Sequence, residues 1–180
     1  MKLRTYLSGL SLVTGLATIA TAGAGNGFNF ESAGVRYGFG ANNLSQDFQK
    51  IEATTGLNLP LKWDLGRTWV LKPRLEFSLG AFGNNHQSAA IGSVGMALAI
   101  APARSPVSLA GGFSVTGLGR RDYASRDLGS YLQFTSSVGL FWKIKDHVRV
   151  GYQFQHMSNG GLARDNQGIN MNVLSLEYCF

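Results

Sequence analysis

From Trp69 onward, apolar and polar residues alternate with a period of two. Trp69, Leu71, Pro73, Leu75, Phe77, Leu79 and Ala81 share one parity; Val70, Lys72, Arg74, Glu76, Ser78 and Gly80 share the other. Successive side chains of a strand point to opposite faces, so this segment is an extended strand with one apolar face and one charged or small face. The pattern recurs over 51–65, where Ile51, Ala53, Leu57, Leu59, Leu61, Trp63 and Leu65 oppose Glu52, Asn58, Lys62 and Asp64. It recurs over 130–144 (Leu132, Phe134, Val138, Leu140, Trp142 and Ile144 against Gln133, Thr135, Ser137 and Lys143) and over 148–154. A last run opposes Leu174, Leu176, Tyr178 and Phe180 to Ser175, Glu177 and Cys179. Shorter runs near 33–40, 88–100 and 106–116 complete an expected set of about eight strands.

The constraint is then which face meets which solvent. A soluble sandwich buries the apolar face; a membrane barrel turns it outward to lipid and packs the polar face into the lumen. Export favours the membrane. Lys2 and Arg4 precede an apolar or small stretch over 7–20, and Ala20-Thr21-Ala22 offers a small-residue cleavage site, with Ala22-Gly23-Ala24 a second. Residues 1–22 therefore read as a secretory signal peptide and 23–180 as the folded domain. Charged residues make up only 14% of the 180 residues, against about 25% in soluble domains. The apolar faces are capped by Trp63, Trp69, Trp142, Tyr152 and Tyr178. The opposite faces mix charges of both signs with Gly, Ser and Ala, which can pair inside a narrow lumen. The expected fold is all-β: an eight-stranded antiparallel transmembrane β-barrel, its interior filled by side chains and not an open pore.

The connections agree. Expected short turns at Gly66-Arg67, 102–106 and 145–147 alternate with expected longer loops at 41–47, 83–87, 117–129 and 159–169. With a periplasmic N-terminus the longer loops lie outside. Arg120, Arg121, Arg126 and Arg164 fall in them, set against the phosphorylated lipid of the outer leaflet; solvated loop charge is the plainer account of each.

The segment Tyr152-Gln153-Phe154-Gln155-His156-Met157-Ser158-Asn159-Gly160-Gly161 carries the chemistry. By parity His156 and Ser158 share the lipid-facing side with Tyr152 and Phe154. Residues i and i+2 of a strand lie about 6.5 Å apart on one face, close enough for a histidine to act as general base towards a serine hydroxyl. Polar residues on a lipid face are costly in mid-membrane and tolerable near the interface, and this pair sits at the outer end of its strand. A nucleophile there meets the ester bonds of outer-leaflet lipid. Asn159, Gly160 and Gly161 follow the serine and are candidate oxyanion donors; an ordinary Asn-Gly turn accounts for them as well.

The segment 156–161, an Asn-x-Gly at 166–168 and a short final strand ending in Phe180 resemble the lipid A 3-O-deacylases of the PagL type. The strand plan and length extend the resemblance over the whole mature chain, while the specific motif is confined to about 154–180. The resemblance implies an esterase of the Gram-negative outer membrane that removes the 3-linked acyl chain of lipid A, releasing a 3-hydroxy fatty acid. It implies a Ser/His pair on the outer surface of the barrel, here His156 and Ser158. The family orients its histidine with an acidic residue at the start of the last strand; that position is Asn170 here. An Asn oxygen can fix the tautomer but brings no negative charge. Either Asn170 suffices, or Asp165 in the loop helps, or activity is impaired. Glu177 faces the other way and lies too far along the strand.

No cofactor follows from the sequence. His86 and His147 lack partners at metal-ligand spacing, so no metal is expected. No aromatic-basic stripe accompanies the net charge of +6, so nucleic acid is not an expected partner. The expected partners are lipopolysaccharide as substrate and the outer membrane itself, and a homodimer is compatible with both. The reading from another class is a non-catalytic small barrel, structural or adhesin-like.

Overall fold

The computed structural model describes residues 29–45, 47–123 and 126–180; the expected leader at 1–22 lies outside them. The strands are β1 (Asn29–Gly40), β2 (Gln49–Asn58), β3 (Trp63–Leu65), β4 (Trp69–Gly83), β5 (Ser88–Pro102), β6 (Val107–Leu118), β7 (Leu132–Lys145), β8 (Val148–Ser158) and β9 (Ile169–Cys179). Each long strand pairs antiparallel with its sequence neighbour. β1 also pairs β9, and β2 also pairs β4, so the sheet closes on itself. The result is an eight-stranded barrel, with β3 a short appendage on the edge of β4.

That appendage corrects one expectation. The alternation over 51–65 reads as a single strand, but it breaks between Asn58 and Trp63. Pro60 lies in the break; it has no N–H for the ladder and a fixed φ. Across the gap, β4 pairs β2 from Arg74 onward and β3 at Trp69–Leu71. Pro73 thus falls opposite the gap, where its missing donor costs nothing.

The faces are distributed as a hydrocarbon solvent requires. Leu79, Phe113, Leu140 and Trp142 point outward and are 54–59% exposed, while Arg74 and Glu177 are 4% and 3% exposed. Trp63, Trp69, Trp142, Tyr178 and Phe180 form an outward aromatic girdle at the short-turn end. From the short-turn end to mid-barrel the lumen is filled by ion pairs: Arg149–Glu31 at 2.7 Å and Arg36–Glu76 at 2.9 Å, with Arg74 on Glu76 and Arg149 on Glu177, and Lys50–Glu52 at 2.7 Å carries the charge up to the row of Phe82. Above Lys50, under the long loops, it is apolar. Phe48 and Phe82 stack at 5.3 Å, and Tyr123 meets both edge-on from the 119–131 loop. Burial pushes the Tyr123 phenol up to about 12 against the opposing charge of Arg120. Between the two zones a cavity of about 30 Å³ remains beside Arg36, Glu52 and Thr116, room for about two waters.

Candidate active site

The site grows out of the β8–β9 hairpin at the long-loop end. Parity in β8 puts Gly151, Gln153, Gln155 and Met157 inside and Tyr152, Phe154 and His156 outside. His156 stands in register with Asn170, and its Nδ1 lies 2.7 Å from Asn170 Oδ1. A carboxamide oxygen can only accept, so the neutral imidazole carries its proton on Nδ1. Nε2 then presents its lone pair outward as a base. Asn170 is itself held. Its N–H donates to the Ser45 hydroxyl at 3.2 Å, and its carbonyl accepts from the Ala41 N–H at 2.9 Å. The 41–48 loop thus clamps the residue that orients the histidine.

Ser158 ends β8 on the same outward side and is half-buried. Its hydroxyl makes no hydrogen bond among the described residues, so the serine–histidine contact is not formed at rest. Such contacts often tighten only around substrate. Its cross-strand partner Phe134 stacks on Phe113 at 5.8 Å, giving the serine an aromatic wall on the β6–β7 side. Ser136 lies directly across from His156 on β7 and is exposed. The row Ser136–His156–Asn170 therefore offers a second hydroxyl near the base, a residue the sequence pattern did not single out because it comes from another strand.

Of the three expected oxyanion donors, the fold commits two. Asn159 is fully buried, and its amide donates to the Leu128 and Asp165 carbonyls at 3.0 and 2.5 Å. Its Oδ1 accepts from Gly161 N–H at 2.9 Å, and its own N–H donates to Asn166 Oδ1 at 3.0 Å. Asn159 thus locks the 159–168 loop onto the 119–131 loop. Gly160 N–H has no partner among the described residues. Gly160 adopts φ +63° and Gly161 φ +84°, left-handed values that glycine takes without strain. Asn166, which the sequence offered only as the first residue of the Asn-x-Gly motif and with no role, has its oxygen anchored on the Asn159 N–H and its NH2 without a partner among the described residues.

Gly168 was visible only as a motif position. A Cβ there would lie 2.6 Å from His156 Cε1 and 3.2 Å from Nε2, so the ring packs where a side chain would be. The four arginines divide. Arg121 donates to the Gly129 carbonyl at 3.1 Å, and Arg126 donates to the Leu44 carbonyl, tying two long loops together. Arg120 and Arg164 are exposed. Asp165 is exposed, and its carbonyl is taken by Asn159. Glu177 points into the lumen on Arg149, away from the histidine. Among the described residues there is no group of His, Cys, Asp and Glu that could hold a metal ion.

Comparison with known proteins gives a consistent picture. The family model described as lipid A 3-O-deacylase (PagL) matches residues 51–179. The lipid A deacylase PagL of Bordetella bronchiseptica is 29% identical over 69 residues, covering 38% of this chain. The matched stretch spans only 39% of that relative's length. A crystal structure of the outer membrane enzyme PagL superposes with a TM-score of 0.60 at 20% identity, over 81% of this chain and 97% of that one. Neisserial surface protein A, at 12% identity and a TM-score of 0.49, covers 88% of this chain and 99% of its own.

Proposed function

The chain belongs to the lipid A 3-O-deacylase (PagL) family, and from that premise we propose that it is an outer-membrane serine esterase hydrolysing the 3-O-linked acyl ester of lipid A. On this reading the leader at 1–22 is removed and 23–180 is the mature barrel. The long-loop end faces outward, and Ser158 and His156 work at the interface of the outer leaflet. His156 Nε2 takes the Ser158 proton as Oγ attacks the ester carbonyl. The tetrahedral oxyanion forms beside the free Gly160 N–H and the Asn166 NH2. Collapse breaks the bond to the sugar oxygen, which receives the proton from His156. Water, activated by the same Nε2, then releases the fatty acid and regenerates the serine. Asn170 holds the tautomer throughout, as an amide does in Cys-His-Asn enzymes. Exposed Arg164 is the cation open to the lipid phosphates, since Arg120, Arg121 and Arg126 each donate to a loop carbonyl.

The observation that carries this reading is the 2.7 Å contact from His156 Nδ1 to Asn170 Oδ1 on the lipid-facing side. A polar pair set there needs a reason, and a base aimed at lipid esters supplies one. The test is expression in an outer membrane with complete lipid A, beside Ser158→Ala and Ser136→Ala, with the lipid A weighed by mass spectrometry. Loss of one hydroxyacyl chain with the parent and Ser136→Ala, absent with Ser158→Ala, is the expected result. Unchanged lipid A from a folded parent barrel refutes the enzyme. Loss of activity with Ser136→Ala alone moves the nucleophile to β7.

A further inference from the structure

Asn170 sits where the sheet runs out. β1 ends at Gly40, whose register partner is Met171, so Asn170 lies opposite Ala41, already past the strand. Strand ends open locally unless their backbone groups are tied. Here they are tied to the turn 41–45. The Ala41 N–H donates to the Asn170 carbonyl at 2.9 Å, and the Asn170 N–H donates to Ser45 Oγ at 3.2 Å. Ser45 is 1% exposed, and its own N–H donates to the Asn42 carbonyl at 2.9 Å. The amide that orients His156 is thus only as firm as this turn.

The turn is held from outside by Arg126, whose Nη1 donates to the Leu44 carbonyl, next to Ser45. Arg126 is presented by a hairpin with little freedom. Asp122 bridges Asp127, the Tyr123 N–H donates to the Arg126 carbonyl at 3.0 Å, and the Leu128 N–H donates to the Arg121 carbonyl at 2.9 Å. Tyr123, fully buried against Phe48 and Phe82, anchors the hairpin in the barrel mouth. A cation in an outer loop suits lipid phosphate, yet Arg126 has committed a donor to the carbonyl beside the residue that fixes Asn170. Resting on the esterase reading, we infer that Arg126 is a positioning residue of the reaction. It holds the Leu44 carbonyl, keeps Ser45 against Asn170, and so keeps Asn170 Oδ1 on the Nδ1 proton of His156. It touches no reacting atom. Its loss leaves the lipid-binding surface in place and loosens the base, so it acts on kcat and not on KM.

The test is steady-state kinetics of lipid A deacylation by the purified full-length barrel in micelles. The variants are Arg126→Met, Arg126→Lys, Ser45→Ala and the double variant Arg126→Met with Ser45→Ala. Arg126→Met keeps a long side chain and removes the donors. It is expected to lower kcat about tenfold with KM unchanged, short of the roughly 100-fold cost of misplacing a reacting group by about 1 Å. Arg126→Lys, which restores a donor, is expected to recover most of the rate. Ser45→Ala is expected to lose about as much as Arg126→Met, and the double variant no more than either alone, since both break one link. Heat-modifiable migration on gels confirms that each variant is a folded barrel. A raised KM at unchanged kcat overturns the proposal and returns Arg126 to the lipid phosphates. A kcat for Arg126→Met within about twofold of the parent also overturns it, as do losses that multiply in the double variant. A folded parent that leaves lipid A intact overturns the esterase reading, and this inference with it.

Discussion

Gly168→Ala isolates the geometry of the histidine from the stability of the barrel. The added Cβ would sit 2.6 Å from His156 Cε1 and 3.2 Å from Nε2. Ordinary carbon contacts lie at about 3.5–4.0 Å, so the ring must retreat by about 1 Å. The Asn170 contact begins at 2.7 Å, and a hydrogen bond stretched to about 3.6 Å is lost. The retreat therefore releases the tautomer lock and moves Nε2 relative to Ser158. A displacement of about 1 Å in a reacting group costs about 100-fold in rate, or about 2.7 kcal/mol of barrier. The fold loses little. The clash is with the end of an exposed side chain, while the Met157 carbonyl at 3.2 Å needs only a few tenths of an ångström. The assay is deacylation of lipid A by purified protein in micelles, with kcat and KM separated and the barrel checked by heat-modifiable migration. The expected result is kcat down about 100-fold with KM and folding retained. A folded variant within about twofold of the parent kcat refutes the argument that this glycine sets the position of the base.

Asn170→Ala removes the acceptor from Nδ1 and is expected to lower kcat by about 100-fold or more, whereas Asn170→Glu, supplying charge to the imidazolium, is expected to raise it; steady-state kinetics of the two decide whether the amide suffices. In the lumen, Glu177→Leu leaves the buried Arg149 with Glu31 as its one remaining carboxylate partner and is expected to cost about 3 kcal/mol of barrel stability, read from urea unfolding in micelles. On the outer face, Phe113→Arg puts a charge at mid-strand towards lipid and is expected to cost about 2–4 kcal/mol; an unchanged midpoint would contradict the orientation of the faces.

Much of this architecture is legible along the chain, because strand periodicity is local. Parity alone separates Arg74 and Glu76 from Leu75 and Phe77, and the inside-out burial follows once the solvent is recognised as lipid. The outward placement of His156 comes from the same count, and so does the side on which Asn170 must lie. The 51–65 alternation misled because Pro60 leaves hydrophobic parity intact while removing a ladder donor; parity records faces, not hydrogen bonds.

What lies across strands needed the closed barrel. Register is fixed by pairing between segments, and only pairing brings Ser136 level with His156 and aligns Asn170 opposite it. The linear order does not show that the hydroxyl of Ser45, 125 residues away, accepts the Asn170 N–H. Nor does it show that Asn159 spends its amide on the 119–131 loop and not on substrate. Loop backbones have no period, so their hydrogen bonds are decided by whichever groups the closed sheet brings within reach. The sequence by itself determined which residues face lipid, since alternation and covalent order suffice for that. Only the tertiary structure decided which of those residues touch, because contact depends on the register in which separate strands meet.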